Sequence, residues 1–405
     1  MAALLLPSLA QSMSQEDLAG QARARGLAES TGWRLLLKMP LTGGASQVLS
    51  PDFFLDPAGR QDAAAELQAT LAALEAPFVD EAGDARCRFP ARRQWLGQQL
   101  GISAWLQPDA RCTGLHRWLD FSRLRRVSVS LVSGYFGNPA SAFGHALLRF
   151  ETERRPGETA LGDLTLNFGA LVPEQENMLR YVAKGLSGGY DAGFSDKDYA
   201  EHDQVYVRGE NRDIWHYELA LAPDAAQLLA LHAREIAGRK FQYFFLSRNC
   251  AWRLAEMLEL VLPASLRQGT DEAWYIPVEL FERLEAAQAA GQPVYRRVQF
   301  QASAQRELLA RLRQLTPAER RAFTAVLTNE GAQLAADLQG LTPQQAQRVI
   351  EVLLEWTNWK NPTGQVKDEL AAVERLKQRL LQARLRLPTG ASSLAAPAPL
   401  PSPGL

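Results

Sequence analysis

What most limits how this chain can fold is a change of period at Arg126. Upstream, apolar residues recur at helical spacing. Leu18, Ala22, Leu27, Trp33, Leu36 and Leu37 follow a broken helical stripe, and residues 62–76 are Ala/Leu-rich, which favours a helix. Downstream, residues 127–132 alternate Val and Ser with β-branched side chains, the pattern of a strand. The turn-forming run Ser133-Gly134-Tyr135-Phe136-Gly137-Asn138-Pro139-Ala140-Ser141 follows, then predicted strands at 146–150, 163–168, 204–208 and 214–222. Helices are predicted at 173–186 and 224–238, with a glycine-rich, aromatic-tipped loop between 185 and 194 that could act as a lid over a cleft, Tyr190 at its tip. From Gln301 the helical period returns, and Thr316-Pro317 and Thr342-Pro343 read as helix starts. The expectation is an α+β protein. A sheet-bearing domain at 127–300 is flanked by helical regions at 14–126 and 301–387, and a Pro/Ala/Ser-rich tail at 388–405 is expected to be disordered.

Residues 241–262 organise the middle of the chain. An aromatic run leads into Ser-Arg-Asn-Cys, and Leu254, Met257, Leu258 and Val261 then fall on one buried helical face. Asn249 is placed to cap that helix, which puts Cys250 in its first turn. Free amides and the positive end of the helix dipole there favour a thiolate. The same local pattern also fits a buried structural cysteine, because free Cys is among the most buried residue types.

The cysteine count bears on that choice. Only Cys87, Cys112 and Cys250 occur. In an exported chain Cys87 and Cys112 could pair and leave Cys250 as the odd thiol. In the cytosol all three would be reduced. Residues 1–13 are apolar at first and contain Ser8-Leu9-Ala10, a small-x-small triplet, but lack a basic n-region; they resemble a signal-peptide remnant or a frayed start. No apolar run is long enough to span a bilayer. The net charge of -1 gives no reason to expect a nucleic-acid partner. The predicted helix at 365–387 has a basic face able to make peripheral membrane contact, although such helices more often pack on their own domain.

A nucleophilic thiol needs a base, and the base needs a third group to fix its tautomer. Of the five histidines, His145 enters a strand from the glycine-rich turn, where it can face a cleft, and Asn167 lies on the next predicted strand. Cys250, His145 and Asn167 are therefore the candidate catalytic set. Ser133, Asn138, Ser141, Asn249 and Tyr190 are candidate oxyanion or substrate contacts. No Cys-x-x-Cys occurs and no two histidines stand four apart, so neither a metal nor a cofactor is expected.

The segments Gly134 to His145, Leu166-Asn167-Phe168-Gly169-Ala170 and Arg248-Asn249-Cys250-Ala251, with Cys87-Arg88-Phe89-Pro90 upstream, resemble the Lnb N-terminal periplasmic domain family. That family is similar to circularly permuted papain-like enzymes of the NlpC and lecithin–retinol acyltransferase kinds, in which His precedes Cys. The resemblance implies a permuted papain-like domain, an antiparallel sheet plus a nucleophile-bearing helix. It implies acyl transfer through a cysteine thioester in the cell envelope, on a lipid or lipoprotein. A cysteine peptidase or amidase acting on peptide or cell-wall material, and a non-catalytic envelope protein that keeps the fold, are the other readings. Full Lnb-type acyltransferases continue into transmembrane helices that have no counterpart in these 405 residues.

Overall fold

The computed structural model describes residues 15–137, 141–173, 176–267, 274–363, 370–387, 389 and 393–402. The expected signal-peptide remnant at 1–13 and Asn138 lie outside them.

Seven antiparallel strands form one sheet: β1 (Leu124–Val132), β2 (His145–Thr152), β3 (Leu164–Ala170), β4 (Tyr190–Asp198), β5 (Ile214–Leu219), β6 (Lys240–Tyr243) and β7 (Tyr295–Gln301), in the order β6-β4-β3-β2-β1-β5-β7. The described helices of nine or more residues are α1 (Gln15–Ala24), α2 (Ala63–Glu75), α3 (Pro90–Leu100), α4 (Met178–Ser187), α5 (Pro223–Ile236), α6 (Cys250–Leu258), α7 (Pro277–Ala289), α8 (Ala304–Gln314), α9 (Pro317–Thr328), α10 (Pro343–Lys360) and α11 (Ala371–Arg384). The chain is thus α+β.

The Val/Ser alternation of β1 sets the two faces of the sheet. Val127, Val129 and Leu131 join the large core with α5 and α6. Ser128 and Ser130 are buried on the other face, where their hydroxyls donate to Glu151 and meet His216 Nδ1, each at 2.8 Å. Both faces are covered, so polar residues on the second face need internal partners.

The expected strands at 127–132, 146–150, 163–168 and 214–222 match β1, β2, β3 and β5. Two expectations are corrected. The glycine-rich run expected to form a lid is strand β4, because Tyr190, Ala192 and Phe194 alternate inward and pack with Phe168 and Phe241. Gly188, at φ 77°, ends α4 and frees the chain to turn into that strand. Residues 204–208, expected as a strand, lie in a π-helix, Asp203–Gly209, a rare form often found at functional sites.

The N-terminal helices and the sheet share one continuous core. Arg92 is fully buried, donates to Glu66 Oε1 at 2.6 Å and lies over the rings of Phe53 and Phe89. Glu235 of α5 accepts from the backbone N–H groups of Ala91 (2.6 Å) and Arg92 (3.0 Å), placing a carboxylate at the start of α3 where the dipole favours it. Cys87 and Cys112 form a disulfide with Cα atoms 5.2 Å apart.

Helices α8 to α11 bury a separate core around Val349, Leu353, Leu376 and Leu380. Leu376 and Leu380 are the apolar stripe of α11, so this helix packs on its own region and leaves its cations outward. The tail differs from the disorder expected for 388–405. Leu394 is buried in the C-terminal core, Trp215 Nε1 donates to the Leu400 carbonyl, and Ser402 meets the Tyr217 hydroxyl. The Leu400 carbonyl and the Ser402 hydroxyl find their partners on β5. Among the described residues no helix is long and apolar enough to cross a membrane.

Candidate functional site

The turn between β1 and β2 sets His145. Gly144 has φ 92°, and a Cβ there would come within 2.8 Å of the Val132 carbonyl, so the position requires glycine. The Ser141 carbonyl accepts from the N–H groups of Tyr135 (2.9 Å) and Gly144 (3.0 Å), closing the turn. His145 is then the first residue of β2, opposite Val132.

Asn167 sits on β3 opposite Leu147, two residues along β2 from His145 and on the same face. The ring Nε2 of His145 is hydrogen-bonded to Asn167 Oδ1. An amide oxygen only accepts, so Nε2 carries the proton and Nδ1 keeps its lone pair. Asn167 therefore selects the tautomer whose free nitrogen can take a proton.

Cys250 opens α6, as the cap predicts. Asn249 Oδ1 accepts from Ala251 N (3.1 Å) and Trp252 N (3.3 Å), and its Nδ2 donates to the carbonyls of Phe245 (3.0 Å) and Tyr275 (2.6 Å). With all these contacts spent on the cap, Asn249 positions the helix and is not free to bind a substrate. The Cys250 sulfur lies against the backbone N–H of Ala146, the residue after His145. Strand alternation puts the His145 side chain on the Val132–Leu147–Ile214 face, whereas Ala146 and Leu148 face α6. Cys250 thus meets the backbone of β2 at Ala146, and the His145 side chain leaves the neighbouring residue on the opposite face.

The thiolate expected at the helix start is not the state this environment favours. Burial raises the Cys250 thiol to about 11, outweighing the N–H groups of Ala146 and Ala251 and the charge of Arg212, which pull it down. Burial also lowers His145 to about 4, against the Asn167 bond that supports its protonated form; nearby Arg212 pushes the same way as burial. Both partners are neutral.

Three residues not singled out in the sequence complete the site. Tyr206, on the π-helix, has its ring 5.9 Å from that of His145. His202 stacks on Tyr206 at 5.5 Å with planes 14° apart, and the Arg212 guanidinium lies 4.9 Å from the same ring centre. Burial raises the Tyr206 phenol to about 12, and a negative charge on Cys250 adds to the rise, so its O–H stays a donor at neutral pH. Arg212 is fixed in turn by the carbonyl of Ser133 (2.6 Å) and the carboxylate of Glu210 (2.8 Å). Residues 204–208 read as a strand because a π-helical turn has no short-range signature of its own.

The other candidates lie elsewhere or are engaged. The Ser133 hydroxyl accepts from Asp213 N at 3.1 Å and ties β1 to β5. Ser141 contributes its carbonyl to the turn. The Tyr190 hydroxyl donates to Glu176 Oε2 at 3.2 Å, beside α4. These contacts give Ser133, Ser141 and Tyr190 structural employment.

No curated protein and no solved structure matches the chain. Residues 25–99 match a family model described as a domain of unknown function, DUF7843. A second model, the Lnb N-terminal periplasmic domain, matches residues 115–287, which carry six of the seven strands together with His145, Asn167 and Cys250. Residues 115–287 thus carry an Lnb N-terminal periplasmic domain, and the protein is periplasmic or otherwise exported.

Proposed function

We propose that this is a cell-envelope cysteine-dependent acyl-transfer enzyme with a permuted papain-like catalytic domain at 127–300, acting through a Cys250 thioester on a lipid or lipoprotein. The observation that carries the reading is the hydrogen bond from His145 Nε2 to Asn167 Oδ1, which leaves an unprotonated Nδ1 on the first residue of β2, the strand whose next residue, Ala146, meets the sulfur.

In the proposed reaction Sγ attacks an ester carbonyl carbon while Nδ1 of His145 takes the thiol proton. The carbonyl electron pair moves to oxygen, where the backbone N–H of Cys250 and the Tyr206 hydroxyl are the donors to hand. Collapse breaks the C–O bond, and the departing alkoxide takes the proton back from His145. An amine or water then attacks the thioester, gives its proton to His145, and the thiol is reprotonated as it leaves. Asn167 holds the ring throughout.

The test is intact-mass analysis after incubation with an activated long-chain acyl ester. A hydroxylamine-labile acyl adduct on Cys250, absent in Cys250→Ala, is expected. Turnover that survives Cys250→Ala, or no adduct under any condition, sinks the proposal. Cleavage of peptide amides in place of acyl esters would move the chemistry to a peptidase.

A further inference from the structure

β1 and β3 end, and β2, β4 and β5 begin, at the same edge of the sheet, because Val132 pairs with His145 and Ile214, and Ala170 with Ala192. This edge carries His145, Asn167 and the start of α6. It also carries a rim of exposed apolar side chains drawn from separate segments. On the β1–β2 side are Phe136 (92% exposed) and Phe143, the latter edge-on to the half-exposed Trp274 at 5.4 Å. On the β3–β4 side are Leu171, Leu179 (82% exposed) and Leu186.

Helix α4 makes the arrangement specific. Its inner face is Tyr181, 4.9 Å from the Phe245 ring, and Gly185, where any side chain would collide with that ring. Its outer face is Leu179, Ala183 and Leu186, an i, i+4, i+7 apolar stripe turned to solvent. A surface helix ordinarily turns its apolar stripe inward; this one turns one of its two outward. Arg180 and Lys184 flank the stripe, 70% and 41% exposed, and both reach back to Glu176, which is 7% exposed. The acid lies beneath and the cations outside, so the charge this helix presents to solvent is positive.

We propose that this rim is an interfacial docking surface for an anionic phospholipid bilayer, which would hold the mouth of the Cys250 site against the lipid. Trp, Phe and Leu side chains edged by Lys and Arg are the composition that inserts at the headgroup boundary, and the outward cations complement lipid phosphate. The choice of a lipid partner rests on the reading of Cys250 as an acyl-transfer nucleophile, but the surface itself does not need the thiol.

The test is flotation of the full chain with phosphatidylcholine vesicles, with and without about a quarter phosphatidylglycerol. The wild type is expected to float with the anionic vesicles and less with the neutral ones. Phe136→Glu with Leu179→Glu is expected to weaken binding by about 10²-fold, at about tenfold or more per apolar side chain withdrawn from the interface. Both sites are almost fully exposed, so turnover of a water-soluble short-chain ester should be unchanged; Leu171→Gln with Leu186→Gln carries the same prediction should the first pair fail to fold. A wild type that floats with neither vesicle, or variants that float as it does, overturns the proposal. So does self-association of the wild type that the double variant abolishes, since the rim would then be a protein interface. Cys250→Ser separates the two ideas: flotation intact with no acyl adduct in the wild type refutes the acyl-transfer reading and leaves the docking surface standing.

Discussion

A cysteine and a histidine that share a proton can rest as a thiolate–imidazolium ion pair or as a neutral thiol and imidazole. Here the environment decides for the neutral form. With the thiol raised to about 11 and the imidazole lowered to about 4 by burial, moving the proton between them is uphill by about seven pH units, on the order of 10 kcal/mol. Even charges brought into contact, about 4 Å apart in an effective dielectric of about 20, would return only about 4 kcal/mol. The neutral forms are favoured, and the thiolate fraction at pH 7 is on the order of 10⁻⁴.

The assay is the rate of Cys250 alkylation by iodoacetamide against pH. Cys250 is the one free thiol once Cys87 and Cys112 are bonded, so the signal needs no deconvolution. The rate should climb about tenfold per pH unit from 6 to beyond 8, with no shoulder at low pH. Local opening that admits the reagent would return the thiol toward 9, which still leaves the climb above pH 7. His145→Ala should barely change the curve. A plateau already reached below pH 7, and abolished in His145→Ala, would mean a preformed ion pair and would refute the argument that burial dominates this site.

Tyr206→Phe keeps the ring stack with His145 and His202 but removes the proposed oxyanion donor; kcat should fall roughly 10²-fold with KM and alkylation rate little changed, and a loss of only a few-fold would remove Tyr206 from the chemistry. Burial holds His202 and His216 near 4, below the ordinary 6.5, so the unfolded chain binds more protons between these values. Stability is complete above about pH 6.5 and falls as pH drops toward 4, by about 3 kcal/mol for each residue. Glu235, raised to about 7 by burial, works in the opposite direction and offsets about one of them, so the urea midpoint should still decline from pH 7 to pH 4.5; a flat or rising midpoint contradicts the assignment. Reduction of the Cys87–Cys112 bridge, which spans 25 residues, should cost about 3.5 kcal/mol by chain entropy, and a denaturation midpoint that moves by less than about 1 kcal/mol equivalent would show that the reduced loop stays ordered.

Much of the sheet could be read from the residues because its central strands are patterned locally. Val/Ser alternation announced β1, and Gly144, needed for a positive φ against the Val132 carbonyl, marked the entry to β2. Asn249 was legible as a cap because capping is decided within three residues. Strand β4 was not, since a run of four glycines within nine residues hides the alternation of Tyr190, Ala192 and Phe194, and what selects a strand there is pairing with β3 and β6. Tyr206 was missed for a related reason. A π-helical turn has no short-range signature, and its place beside His145 depends on Arg212, just before β5 begins, gripping the end of β1. The thiolate expectation failed because a helix terminus is visible in a sequence whereas the depth of its burial is not.

That burial has its own structural cause. Helix α6 is held from behind by charges with almost no exposure: Glu256 pairs with Lys38 at 3.6 Å, Arg253 at 3.5 Å and Arg267 at 3.2 Å, and Arg253 also reaches Gln47. Desolvation lowers Lys38 to about 8, against the attraction of Glu256, while Arg267 also pairs with Glu259 at 2.7 Å. Buried ion groups of this kind contribute little net stability, because desolvation consumes most of the attraction, but removing any one member strands the others. Their effect is to fix one orientation. Lys38 and Gln47 come from the segment that matches the domain of unknown function, and Arg253 and Glu256 from the periplasmic domain. The two matched stretches are therefore halves of one device. The N-terminal helices clamp the far end of α6, and its near end presents Cys250 to the edge of the sheet at a fixed depth, too deep for a free thiolate and against the strand that begins with His145.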